Sequence, residues 1–209
     1  MKNVWEFLVK GGIIMIPLFL CSISALAITI ERFVALRRRK VIVPEVVSVL
    51  ENVKGVNDLG LAASICEKHH GPFANIIRIS LENHGLPREE IKEALLDQGR
   101  QEIHHLEKGL GALETIAGIA PLLGLLGTVL GILKVFKVIS VMGVGQATAL
   151  AGGISEALIT TIAGLFIGIP ALVAYNYFTN RAETLVLEIE KYSNRLLNKI
   201  GSFMPGPGR

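Results

Sequence analysis

The chain has 209 residues, 51% hydrophobic and 19% charged, with 22 glycines and a mean hydropathy of +0.52, which is too apolar for a disordered chain or one soluble domain of ordinary composition. Lys and Arg number 21 against 18 Asp and Glu, a net charge of +3, and they flank apolar runs instead of forming one stripe; a membrane, and no nucleic acid, is the partner this implies. Cys21 lies in an apolar run and Cys66 in a polar segment, with no CxxC spacing, so neither a disulfide framework nor a zinc ribbon is supported.

Residues 1–10 form a short N-terminal segment ahead of the first apolar run. Residues 11–30 carry no charge and match the roughly 20 apolar residues that a membrane helix needs. Ala25-Leu26-Ala27 has the form of a signal-peptidase site. The run nevertheless continues to Ile30 and is followed by Arg32, Arg37, Arg38, Arg39 and Lys40, a cluster that stops translocation. The segment is therefore read as an anchor.

Residues 31–114 are expected to form a cytoplasmic helical domain. Its pattern is Glu45 to Val53, Asp58 to His69 and Phe73 to His84, broken at Gly71-Pro72 and again at Gly85-Leu86-Pro87. Pro87, with Glu89 and Glu90 in the first turn, opens a long helix. That helix is expected to run into the second span without a stop, because Gly99, Gly109 and Gly111 lower helix propensity without ending a helix. His69-His70 and His104-His105 are adjacent pairs whose side chains diverge by about 100°, which makes poor chelates, so they read as solvated surface. No metal and no cofactor is expected.

The second span is read as 115–137, an outer turn as 138–146, and the third span as 147–178. Pro121 and Pro170 are expected to kink these helices, and Lys134 and Lys137 to reach head groups. Residues 179–200 form an amphipathic helix, with Leu185, Ile189, Tyr192, Leu196 and Ile200 at spacings of three or four, expected to pack on the helices of residues 44–110. Residues 201–209 are expected to be a disordered tail. The fold class is thus an all-α membrane protein with three transmembrane helices and long cytoplasmic extensions. Twelve Lys and Arg in 31–114 and five in 179–209, against two before the first span and two in the second loop, place the N-terminus outside and the C-terminus in the cytoplasm.

Glu156 is the sole carboxylate between Glu114 and Glu183 and lies in an otherwise apolar and hydroxyl-bearing run. A charge there costs about 2.5 to 3.5 kcal/mol on insertion scales, so the group should face protein or water and is a functional candidate by default, the plainer alternative being a carboxyl near the outer interface that reaches water. A carboxyl able to be charged or neutral is what a proton relay requires. With the turn centred on Met142 or Gly143, Thr128 is level with residues 156–158. Thr160 lies about 40° from Glu156 on an ideal helix and Thr161 about 140°, so the polar layer is expected to be completed between spans or subunits. Gly124, Gly127 and Gly131, with Gly164 and Gly168, include GxxxG spacings that permit close helix packing. No Gly-x-Ser-x-Gly, P-loop, HExxH or dinucleotide fingerprint is present, so nothing supports an enzyme.

Ile119-Ala-Pro-Leu-Leu-Gly-Leu-Leu-Gly-Thr-Val-Leu-Gly-Ile132 and the run from Gly153 to Asn176 resemble the paired transmembrane signatures of the MotA/TolQ/ExbB proton-channel family. The three spans, large cytoplasmic loop and C-terminal helix are similar to its ExbB and TolQ branch. One departure is Gly152-Gly153, where many relatives have Pro before the Gly. The resemblance implies a pentameric inner-membrane subunit enclosing a one-span partner like ExbD or TolR, which carries an intramembrane Asp. Together they would use the proton-motive force to drive a periplasm-spanning energiser such as TonB or TolA. By position, the family's channel residues fall on Thr128, Glu156 and Thr161; helix phase alone favours Thr160. A passive oligomeric scaffold and a gliding or secretion motor are the alternatives.

Overall fold

The spacing of apolar residues calls for helices throughout, and every element in the computed structural model, which describes residues 11–143 and 147–203, is helical. Segment 1–10, residues 144–146 of the expected turn, and residues 204–209 of the expected tail lie outside the described residues. Helix α1 spans Met15–Ala35, α2 Arg38–Val41, α3 Pro44–Asn52, α4 Leu59–Lys68, α5 Pro72–Glu82, α6 Arg88–Glu107, α7 Leu110–Met142 and α8 Ala147–Phe203, with a 3-10 turn at Val56–Asp58. Pro44 and Pro72 open α3 and α5, where the missing N–H removes no helical bond. Pro87 stands just ahead of α6 as its N-cap, with Glu89 and Glu90 in the first turn.

The expected continuous helix from Pro87 into the second span is not present. Lys108 is extended and Gly109 adopts a left-handed φ of +80°, so α6 ends at Glu107 and α7 starts at Leu110. Glycine takes that conformation without the Cβ clash that other residues meet. Pro121 and Pro170 lie inside α7 and α8, and neither ends its helix. Portions of α1, α7 and α8 are long and apolar enough to cross a membrane.

The described residues divide into two compact units, 11–31 with 109–177 and 32–108 with 178–203. In the first, Met15, Leu18, Ala120 and Ala163 form a small core joined by Ile14, Leu123 and Ile167. The outer faces are large and apolar, with Phe19, Leu122, Leu133, Phe136, Leu158 and Phe166 all exposed. Such a band needs lipid or other protein chains to cover it.

In the second unit, Leu185, Ile189, Leu196 and Ile200 of α8 are buried and Tyr192 packs against Phe73, ring centroids 5.4 Å apart, so the amphipathic stripe buries its expected face. Lys199 Nζ donates to the carbonyls of Leu50 and Glu51 at 2.7 and 2.9 Å, placing a cation at the C-terminal end of α3 where the dipole favours it. Buried Glu102 accepts from Asn75 Nδ2 and Gln98 Nε2. The basic cluster after the first span is divided in its partners: Arg38 donates to both carboxylate oxygens of Glu188, and Arg37 lies over the Phe33 ring, 5.7 Å from its centroid.

Candidate proton-relay site in the helical hairpin

The site rests on how closely α7 and α8 approach. They run antiparallel and meet through glycine. A Cβ at Gly124 would stand 2.9 Å from the Thr160 carbonyl oxygen, one at Gly131 2.8 Å from the Gly153 carbonyl oxygen, and one at Gly168 2.6 Å from the Pro121 ring. At Gly164 it would lie 2.5 Å from the Ala120 carbonyl oxygen, and at Gly127 it would overlap the Thr160 side chain. All five expected packing glycines therefore lie on one seam within a single chain. Gly153, opposite Val135, extends it.

This seam sets what surrounds Glu156. With Gly131 against Gly153 and Ala157, the next turn of α7 brings Lys134 beside α8, and its Nζ donates to Glu156 Oε1 at 2.5 Å. Lys134, expected to reach head groups, here donates to the carboxylate, a strong partner within reach, while its side chain stays 58% exposed. A Cβ at Gly12 would also overlap this carboxylate oxygen, and Gly12 has φ +69°. Only glycine fits this close approach without strain. The Glu156 side chain is 20% exposed, so an ammonium and a glycine backbone crowd a group that retains an opening.

The hydroxyls take different roles. Thr128 Oγ1 donates to its own Leu125 carbonyl at 2.6 Å. Thr160 is buried and donates to the Ala157 carbonyl at 2.8 Å and the Glu156 carbonyl at 3.2 Å. Both follow the back-bonding habit of hydroxyls in apolar helices. Thr161 Oγ1 instead crosses the seam to the Gly124 carbonyl at 3.2 Å. The structure brings Glu156 to Lys134 and Gly12, and Thr161 to Gly124; among the described residues it gives Thr128 no hydrogen bond to Glu156. The level expected for Thr128 is close, because Gly127 faces Thr160, but level along a helix does not set direction around it.

Lys134 and Gly12 are the neighbours that the sequence reading did not assign. A signal for the first existed: Lys134 and Lys137 are the two cations between Lys108 and Arg181, as Glu156 is the one carboxylate between Glu114 and Glu183. Chemically, a carboxylate beside an ammonium in an apolar hairpin can accept a proton and release its partner, or exchange that partner for another donor. Among the described residues, no three His, Cys, Asp or Glu side chains are grouped to hold a metal ion.

The sequence profile of the MotA/TolQ/ExbB proton channel family matches residues 68–191, more than half the chain and the whole of this hairpin. The ExbB-like protein 1 of Synechocystis sp. is 38% identical over 175 residues, 81% of this chain and 68% of its own. The ExbB homolog of Methanothermobacter thermautotrophicus is 30% identical over 189 residues, 90% of this chain and 67% of its own. The biopolymer transport protein ExbB of Neisseria gonorrhoeae is 38% identical over 103 residues, 47% of each chain. This chain thus spans about two thirds of the first two relatives and about half of the third. With three apolar helices and these matches, the chain belongs to the MotA/TolQ/ExbB proton channel family, in its ExbB branch.

Proposed function

We propose that this protein is the proton-conducting subunit of an ExbB/TolQ-type motor of the bacterial inner membrane, coupling the proton-motive force to a periplasm-spanning energiser of the TonB or TolA kind. The observation that carries the reading is Glu156: one carboxylate in an apolar hairpin, crowded by Lys134 and Gly12 yet still open on one side. Relatives named as biopolymer transport proteins support the transport role.

In this reading the subunit assembles as a pentamer around a one-span ExbD- or TolR-like partner with an intramembrane Asp. A proton taken up by Glu156 forms the neutral acid and removes the charge that holds Lys134. The acid then passes the proton to the partner's Asp, in a layer that Thr128 and Thr161 line. Repeated exchange moves ring and partner relative to each other, in support of outer-membrane import or envelope maintenance.

Glu156→Gln tests this. The variant should assemble with unchanged size in detergent and fail in energised uptake. Normal uptake and an intact envelope would refute the proton role; an altered oligomer with otherwise normal function would indicate a scaffold.

A further inference from the structure

Within the second unit, Arg32, Lys40, His70 and His105 line one cavity of about 220 Å³, and among the described residues no Asp or Glu lines it. Four separate elements supply these groups: α1, α2, the segment after α4, and α6. Arg32 is 3% exposed, and its Nη1 is fixed by the carbonyls of Leu106 and His105 at 3.2 and 3.4 Å. Lys40, His70 and His105 are exposed around it. The rest of the basic cluster is not directed here, since Arg38 is bound to Glu188 and Arg37 lies over Phe33. Pro72 also lines the cavity, at the start of α5, whose N-cap Gly71 provides no side-chain cap.

We propose that this cavity holds a phosphate group, presented by the headgroup of an anionic membrane lipid. Convergent basic side chains that carry hydrogen-bond donors suit an oxyanion. At about 30 Å³ per water, the space equals roughly seven waters, enough for a phosphodiester and part of its glycerol. Depth selects the lipid source over free phosphate. Arg32 lies two residues beyond Ile30, the end of the charge-free run, or about 3 Å along α1. The headgroup layer extends roughly 5 to 8 Å beyond the hydrocarbon, so Arg32 is at the level of lipid phosphates. Basic pockets at the cytoplasmic ends of membrane helices are suited to acidic headgroups. Two of the histidines expected to be plain solvated surface thereby gain a ligand.

The test uses the purified full chain in detergent, measuring retained lipid by native mass spectrometry with dioleoylphosphatidylglycerol or dioleoylphosphatidylcholine, and inorganic phosphate by calorimetry. Phosphatidylglycerol should be retained preferentially, and Lys40→Gln should reduce retention about fivefold, the effect of one interfacial cation. Lys40→Gln with His70→Gln should reduce it further, while Arg39→Gln, outside the cavity, should leave it unchanged. These exposed positions keep the test independent of whether Arg32→Gln folds. Phosphate binding with the same variant profile, without a lipid preference, would support the phosphate site and overturn the lipid as its source. Equal retention of both lipids with no phosphate binding, or an equal loss in Arg39→Gln, overturns the site.

Discussion

Lys134 Nζ and Glu156 Oε1 meet at 2.5 Å across the hairpin, joining two apolar helices through opposite charges 22 positions apart. Polar contacts between membrane helices couple by about 0.6 kcal/mol on average and up to about 1.7 kcal/mol. A double-mutant cycle of Lys134→Met and Glu156→Gln, read from unfolding in detergent, should fall in that range. Additive effects of the two substitutions would show that the pair does not form.

The seam separates two kinds of glycine. Gly164→Val places a branched side chain where even a Cβ would lie 2.5 Å from the Ala120 carbonyl oxygen and 2.9 Å from Gly124 Cα. Overpacking of this kind should destabilise the hairpin by about 1 to 3 kcal/mol. Gly152 has nothing within 4 Å of its Cβ position, so Gly152→Ala should stabilise the helix by about 0.5 to 1 kcal/mol. Thermal unfolding in one detergent checks both signs.

Burial pushes the Cys66 thiol up from 9.0 to about 11, against a smaller opposing effect of Arg78. That rise lowers the thiolate fraction about a hundredfold near pH 8, and the thiolate is the reactive form. Cys66 should therefore react with maleimide about a hundredfold more slowly in the folded protein than after unfolding. Equal rates would show that the helices around it open freely.

A hydrogen bond from Arg38 holds the Glu188 carboxyl below the ordinary carboxylate range; desolvation opposes this, and the nearby charges of Arg38, Lys191 and Arg181 assist it. The sign follows from linkage: a depressed folded value contributes stability above the ordinary carboxylate range, lost as pH falls through the depressed value. Arg38→Gln should move the Glu188 titration, followed by NMR of labelled glutamate, back up towards that range. The stability gap between wild type and variant should be full near neutral pH and close in acid.

The three apolar spans are legible in the residues because runs of about 20 apolar residues suit a bilayer, and Pro87 with Glu89 and Glu90 marks a helix start. The C-terminal stripe from Leu185 to Ile200 is legible for a related reason, its period matching one buried face. Gly109 is different. A glycine in a helical pattern can continue the helix or turn left-handed, and here the left-handed choice separates α6 from α7. The partner of Glu156 was hidden for another reason: counting from a turn gives height along the hairpin, while the long reach of Lys134 and the approach of Gly12 depend on rotation and packing. Thr160 and Thr161 show the same limit, since angular proximity to Glu156 did not determine which hydroxyl crosses to α7.

The glycine seam also bears on permeability. Where a methyl group has no room between Gly124, Gly131 and Gly164, a water molecule has none either. A file of water therefore cannot thread the seam between α7 and α8, and ion leakage through that pair of helices should be negligible. If protons reach the carboxylate as proposed, a wire of water would have to run along the outer surface of this seam, and another polypeptide would have to supply its opposite wall.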